Sequence, residues 1–112
     1  MMEAKNYIGK IVNVKMDRPL GSVHQKYCFI YSVNYGYIPN TISEDGEELD
    51  AYVLGEHNPL EKFKGRVIAV IHRLNDNDDK LVVVKDGKQY SNEQIDALVE
   101  FQEQWFKYEI IR

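Results

Sequence analysis

The chain has 112 residues, of which 44% are hydrophobic and 12% aromatic. These values predict one globular domain over residues 1–112 and exclude a mainly disordered chain. The net charge of -4 and the isoelectric point near 5.3 argue against general affinity for nucleic-acid backbones, which requires a basic surface.

Residues 1–6 lack the apolar core of a signal peptide, and the longest aliphatic run, 67–71, is too short to span a bilayer. We therefore expect a cytoplasmic protein without a membrane partner. Cys28 is the single cysteine, so it cannot form an internal disulfide. Its apolar neighbours predict a small buried side chain in a reducing compartment.

Alternating apolar and polar residues predict the first strand. Val12, Val14 and Met16 alternate with polar residues up to a turn at 18–21. An aromatic extended segment follows at 27–33. Three further strands are predicted at 49–54, 67–74 and 81–85, with Gly55, Gly65 and the Asp86-Gly87 pair at their boundaries.

The C-terminal segment changes to a helical period. Ser91 and Gln94 form a capping box. The residues that then fall on one helical face are Ile95, Leu98, Val99, Gln102, Trp105 and Phe106. We expect a long amphipathic helix to end the chain. Its aromatic residues, Trp105 and Phe106, fit a core position or a subunit contact, and of the two we expect the core. The fold class is mainly β (α+β): a small OB-like antiparallel barrel with a C-terminal amphipathic helix.

Two acidic segments could hold a metal ion. Asp45, Glu47 and Asp50 surround Gly46, which permits a tight turn. Such turns are commonly solvated, but Asp50 begins an apolar strand, where a carboxylate usually needs a partner. Hard divalent cations prefer clustered carboxylates, so the segment predicts a Mg²⁺ site.

The second acidic segment, 75–79, leads directly into the strand that begins near Lys80. Asp76 and Asp78 fit an ordinary hairpin turn, for which Asn and Asp are preferred residues. An EF-hand loop is a poor fit, because Gly87 stands where its closing glutamate would be. The alternative is that both acidic turns share one cluster of metal ions.

Several basic residues could bind an anionic substrate, although each alone also fits a solvated surface charge. They are Lys15, Arg18, Lys26, Lys80 and Lys107. Arg18 can bind phosphate oxygens through two N–H groups. His24, in the same loop, could be a ligand, a proton carrier or a structural hydrogen-bonding group. The sequence lacks a Walker loop, a CxxC pair and a Ser-His-Asp order.

Two motifs together resemble the soluble family I inorganic pyrophosphatases, especially a short bacterial branch. They are Asn34-Tyr35-Gly36-Tyr37 and Asp45-Gly46-Glu47-Glu48-Leu49-Asp50. The resemblance covers roughly residues 10–108. It implies Mg²⁺-dependent hydrolysis of inorganic pyrophosphate to two orthophosphates by a metal-activated water, in a homo-oligomer.

The resemblance also assigns roles to residues. Asp45, Asp50, Asp76 and Asp78 would be metal ligands; Tyr35, Lys80 and Lys107 would contact phosphate; Glu47 would accept the proton of the attacking water. Lys15, Arg18, His24 and Lys26 would complete the substrate site.

The chain also departs from the family pattern. Glu47 replaces the usual aspartate, Phe106 replaces a phosphate-binding tyrosine, and no arginine aligns near residue 23. Three alternatives therefore stay open: hydrolysis of another phosphoanhydride, a non-catalytic metal- or phosphate-binding barrel, and the weakest, binding of single-stranded nucleic acid.

Overall fold

The computed structural model describes residues 3–41, 46–76 and 78–112. A short 3-10 helix spans Ala4–Tyr7. The strands are β1 (Ile11–Arg18), β2 (Asn34–Ile38), β3 (Leu49–Val53), β4 (Lys62–Arg73), β5 (Asp79–Val84) and β6 (Tyr108–Ile111). The single α-helix of the described residues, α1, spans Asn92–Glu103 and lies between β5 and β6. No helix in the described ranges is long and apolar enough to cross a membrane.

Five strands close into a barrel in the order β1-β2-β3-β5-β4, with β4 pairing back to β1. Closure depends on the 12-residue β4, whose first half pairs with β1 and whose second half pairs with β5 and β6. The predicted OB-like barrel is confirmed. One detail of it was wrong, because β3 and β5 run parallel and the barrel is not antiparallel throughout.

Two apolar clusters lie on opposite faces of the barrel wall. The cluster inside the barrel includes Val14, Leu49 and Leu81. The cluster outside the wall includes Tyr52 and Ile71, packed under residues of α1. Since side chains alternate along a strand, β2, β3, β4 and β5 each supply both clusters. Polar residues beside the outer cluster are thereby brought together on one surface.

The predicted C-terminal helix begins as expected but ends early. Ser91 Oγ accepts the Gln94 N–H at 3.1 Å, and Gln94 Oε1 accepts the Ser91 N–H at 2.8 Å, so the capping box is confirmed. The helix stops at Glu103 because the chain turns there to pair β6 with β4. Trp105 is therefore 59% exposed, and its predicted core position was wrong.

The predicted extended segment 27–33 was also wrong. A turn lies there, closed by the Cys28 N–H bonded to the His24 carbonyl and flanked by a single bridge between Val23 and Ile30. Cys28 has a φ of 62° and is exposed, against the predicted buried position. The aromatic side chains around it pack on other parts of the fold, which pattern alone could not specify.

Gly36 permits β2 to approach β1. A Cβ atom at this position would come within 2.0 Å of the Lys15 carbonyl oxygen and 2.7 Å of the Met16 Cα. The register of β1 shifts between Met16 and Arg18, opposite Gly36 and Tyr35. Such a bulge increases local twist and bends the strand, and a glycine leaves room for the two backbones to approach at this point.

We expect Gly36→Ala to destabilise the protein by about 3 kcal/mol, since the added methyl meets backbone atoms that cannot move aside. Urea unfolding would measure the change. Asn13→Ala, at an exposed position of β1, is the matched control and should change stability by less than about 0.5 kcal/mol. Equal unfolding midpoints for the two variants would contradict the close approach.

Candidate active site

The strand register places four polar residues in one row across the barrel wall. Lys15 pairs with Tyr37, Tyr37 with Asp50, and Asp50 with Lys80. Directly paired residues share a face of the sheet, so all four point to the outside of the barrel. Asp50 and Lys80, which come from parallel neighbouring strands, lie side by side at one end of this row.

Lys80 is the centre of the charged group. Its side chain is buried, with 2% of the residue exposed. The ammonium donates to Tyr35 Oη at 2.6 Å, to Asp50 Oδ2 at 3.1 Å and to Asp78 Oδ2 at 3.1 Å. An ammonium has three N–H donors, and these contacts use all three. The carboxylates of Asp50 and Asp78 are thereby held around one cation.

Tyr35 is held in its neutral form. Burial raises the pKa of Tyr35 well above its ordinary value, and the negative charges of Asp50 and Asp78 act in the same direction. Its hydroxyl donates to Asp50 while it accepts from Lys80. Tyr35 therefore links the ammonium to a carboxylate and serves as a hydrogen-bonding group.

A second buried network, around Arg73, contacts the group around Lys80 through Asp78. Arg73 donates to both carboxylate oxygens of Glu103, at 2.9 and 2.8 Å, and Glu103 is fully buried. Arg73 also donates to Asp78 Oδ2 at 3.2 Å. Burial opposes the charge of Arg73, but the bonds to Glu103 and its negative charge outweigh this effect, so the pKa of Arg73 is raised. The Tyr52 hydroxyl completes the network by donating to Glu103 at 2.5 Å.

A cavity of about 550 Å³ opens over these groups. Its charged end is formed by Asp50, Asp78, Lys80 and Arg73. Its remaining wall is mainly aromatic and consists of His24, Tyr27, Phe29, Tyr31, Tyr35, Trp105 and Phe106, with Gln102 beside them. The Phe106 ring lies 3.7 Å from the Arg73 guanidinium carbon and covers that charge.

The predicted acidic residues are distributed unevenly. Asp50 and Asp78 meet at Lys80, whereas Asp45 lies outside the described residues. Asp76 is exposed and uses its Oδ1 to accept the Asp78 N–H at 3.1 Å, which orders the second acidic turn. Glu47 is exposed in the turn before β3 and is not among the described residues that line the cavity.

The predicted basic residues also divide. Besides Lys80, His24 lines the cavity, and its Nδ1 accepts the N–H groups of Lys26 and Tyr27, both at 3.1 Å. Arg18 is not among the described residues that line the cavity, and its guanidinium donates to the Asp17 carbonyl at 3.0 Å.

Three other predicted cations stand away from this cavity. Lys26 is exposed, with its ammonium 5.2 Å from the Tyr27 ring centre. Lys15 lines a different cavity with Lys62 and Lys64. Lys107 is exposed, and its carbonyl accepts the Leu74 N–H at 2.9 Å.

Sequence reasoning missed two charged residues of the site. Arg73 continues the outward-facing alternation of β4, and Glu103 lies four residues after Val99 on the apolar face of α1. A charge on each apolar face was a signal for a buried pair.

The donor set fits a hard divalent cation. Among residues 3–41, 46–76 and 78–112, no three Asp, Glu, His or Cys side chains come close enough to form a complete metal cage. Mg²⁺ does not need one, because it commonly binds through one or two carboxylates and keeps waters and substrate phosphates as its other ligands. Asp50 and Asp78 supply two carboxylates on one side of the cavity.

The fold is a small closed barrel with one helix. At its outer surface Lys80 neutralises the carboxylates of Asp50 and Asp78 beneath an open cavity. The family model for inorganic pyrophosphatases matches residues 3–110. The chain therefore belongs to the inorganic pyrophosphatase family, as its motifs predicted. This family is metal-dependent.

Individual relatives of the chain are inorganic pyrophosphatases. An inorganic pyrophosphatase of Corynebacterium glutamicum is 35% identical over 86 residues, covering 70% of this chain and 54% of the relative. One from Neisseria meningitidis serogroup A is 31% identical over 120 residues, covering 88% of this chain and 67% of the relative. The chain thus spans about half to two thirds of the length of these relatives.

Solved structures have the same fold. The inorganic pyrophosphatase of Ehrlichia chaffeensis superposes with a TM-score of 0.70 at 18% identity, over 96% of this chain and 88% of that one. The inorganic pyrophosphatase of Neisseria gonorrhoeae superposes with a TM-score of 0.64 at 25% identity, over 90% and 76% of the two chains. At 18% identity, the similarity to the Ehrlichia chaffeensis structure shows that the fold is shared and nothing further.

We expect Tyr35 and Tyr52 to stay protonated after exposed tyrosines have titrated near pH ~10. Burial raises the pKa of both groups well above the ordinary value. Their contribution to stability is therefore complete below pH ~10 and is lost as the pH rises toward the folded-state pKa values. Tyrosinate absorbance would follow the titration, with circular dichroism as the measure of folding.

Tyr35→Phe and Tyr52→Phe are the variants for this titration. Each should remove one late-titrating group and leave the earlier absorbance step unchanged. A wild-type titration in which all tyrosines ionise in one step while the protein stays folded would contradict the buried networks.

We expect Glu103→Gln to destabilise the protein by about 3 kcal/mol, because the change removes the charge that balances the buried Arg73 guanidinium. Denaturant unfolding would measure the loss. Glu100→Gln, on the exposed side of the same helix, is the matched control. Unfolding of both variants at the same denaturant concentration would show that the Arg73 pair contributes little.

Proposed function

We propose that the protein catalyses Mg²⁺-dependent hydrolysis of inorganic pyrophosphate to two orthophosphates. The observation that carries the proposal is the arrangement of Asp50 and Asp78 around Lys80 at the floor of an open cavity, in a chain of this family. Carboxylates bind the cation that the substrate charge requires, and the lysine supplies a positive charge for phosphoryl oxygens.

The ion would be held by Asp50 and Asp78, with Asp45 as a further ligand. Bound there, a divalent cation neutralises phosphate charge and lowers the pKa of a coordinated water. In the structure the Lys80 ammonium donates to both carboxylates, and with those carboxylates engaged by the ion it would donate to a substrate phosphate instead.

The remaining residues have roles that follow from their positions. Tyr35 orients Lys80 and Asp50 and can contact phosphate through its hydroxyl. Glu47, in the turn before β3, would accept the proton of the attacking water. Asp76 shapes the turn that holds Asp78, so its contribution as a direct metal ligand would be smaller than the sequence predicts.

Substrate contacts beyond Lys80 are assigned to Arg18, His24 and Lys26. His24 lines the cavity, and Arg18 and Lys26 lie in the chain segments on either side of it. Lys15 and Lys107 would act from outside the described cavity. We also propose that the protein works in the cytoplasm as a homo-oligomer and has no nucleic-acid partner.

A second candidate function is hydrolysis of a larger phosphoanhydride. The observation that favours it is the row of aromatic side chains that continues from Tyr35 out to Trp105 and Tyr27, beyond the charged end that pyrophosphate would occupy. If the protein cleaves no phosphoanhydride, the remaining interpretation is a non-catalytic barrel that binds metal and phosphate.

We expect Asp50→Asn to lower the rate of orthophosphate release from pyrophosphate by at least about 100-fold. The amide removes a metal-binding charge and leaves one carboxylate beside Lys80. A colorimetric phosphate assay across a Mg²⁺ titration would measure the loss, and circular dichroism would check the fold.

Asp86→Asn is the matched control, since Asp86 pairs with Arg66 at an exposed position outside the cavity. It should retain the wild-type rate. An Asp50→Asn protein that is as active as wild type would remove the proposed metal site. A folded wild-type protein that releases no phosphate at any Mg²⁺ concentration would remove pyrophosphate as the substrate.

A further inference from the structure

Aromatic side chains line the cavity well beyond its charged end. From the charged end, ring contacts continue without a break from Tyr35 to Tyr31 at 5.5 Å, from Tyr31 to Phe29 at 5.5 Å and from Phe29 to Trp105 at 5.5 Å. Tyr27 lies at the outer end, 6.5 Å from Trp105. We call these five rings the aromatic wall.

The outer part of the aromatic wall has no counterpart in pyrophosphate. That substrate presents only charged oxygens, which the Tyr35 hydroxyl at the inner end can contact but which the ring faces of Tyr27, Phe29 and Trp105 neither neutralise nor bind well. Yet Tyr27 and Trp105 remain 64% and 59% exposed at the cavity rim. Exposed rings on one wall of a pocket favour a ligand with a planar, apolar part that can stack on them.

The position of the charges fixes the orientation of such a ligand. Lys80 and Arg73 lie at the inner end, and the exposed rings lie at the outer end of the same cavity. A ligand that fills both ends carries phosphates at one end and a ring system at the other. Nucleoside polyphosphates have this construction, and bases of any type stack on aromatic side chains.

We propose that the aromatic wall binds the base of a nucleoside di- or triphosphate whose phosphates lie at Lys80. The inference rests on the proposed function, since the phosphates would occupy the site assigned to pyrophosphate. It extends that function by naming nucleotides as the ligand class. The cavity of about 550 Å³ lies within the usual range for sites that enclose such small molecules.

A matched pair of ligands that cannot be hydrolysed tests the proposal. Adenosine 5′-(α,β-methylene)diphosphate and methylenediphosphonate carry the same P–C–P group and differ by the nucleoside. Calorimetry at one fixed Mg²⁺ concentration should show tighter binding of the nucleotide by about tenfold or more. Equal affinities, or tighter binding of methylenediphosphonate, would overturn the proposal.

Trp105 provides an independent signal because it is the single tryptophan of the chain. The nucleotide should change its fluorescence to saturation, at the affinity found by calorimetry, whereas methylenediphosphonate should leave the emission nearly constant. An emission that does not respond to the bound nucleotide would place the base elsewhere and overturn the assignment of the aromatic wall.

Variants at the rim localise the base. Tyr27→Ala should reduce the affinity ratio of nucleotide to methylenediphosphonate by about tenfold, and Tyr27→Phe should preserve it because the ring is kept. Ile30→Ala is the control, since Ile30 is 60% exposed in the same segment but does not line the cavity. An equal reduction in Tyr27→Ala and Ile30→Ala would contradict stacking at the rim.

Two parallel measurements separate this inference from the proposed function. Hydrolysis of pyrophosphate with no preference for the nucleotide overturns the inference alone, while nucleotide binding without hydrolysis of any phosphoanhydride overturns the proposed function alone.

An exposed aromatic surface could instead be covered by a second copy of this chain. Sedimentation of wild type and Tyr27→Ala tests this alternative. Dissociation of an oligomer by Tyr27→Ala would make the wall an interface and overturn the inference.

Discussion

Charge balance around two buried cations is the constraint on which this site depends. Lys80 and Arg73 are almost fully buried, and a buried cation is costly unless carboxylates surround it. Asp78 accepts from both cations, Asp50 from Lys80, and Glu103 from Arg73. The acidic turn supplies Asp78, the barrel wall supplies Asp50 and both cations, and the helix supplies Glu103. These three elements are therefore coupled, because loss of any one carboxylate would leave a buried cation without one of its partners.

The barrel register makes this arrangement possible. β3 and β5 are distant in sequence but run parallel as neighbours, which puts Asp50 beside Lys80. The interior of the barrel is apolar and rigid, so it holds the outer residues in place. The site thus lies on a regular wall, and the segments that approach it from outside, the 24–31 loop and the chain after α1, determine what the cavity can accept.

The same balance has a consequence for ligand binding. In the structure, Lys80 neutralises the two carboxylates that a divalent cation would use. An ion held by these carboxylates would take over that neutralisation, and Lys80 could then donate to an anion. Metal and phosphate would therefore be expected to bind cooperatively, since each would compensate the charge that the other introduces.

Spacing within short segments predicted the capping box at Ser91, the alternation of β1 and the family motif. The resemblance to the family then assigned Asp50 and Lys80 to the site. Three other features were not predicted: α1 ends at Glu103, Arg73 has a buried partner 30 residues away, and a loop expected to be a strand lines the cavity with aromatic side chains. Each depends on packing between distant segments, which periodicity within one segment does not encode.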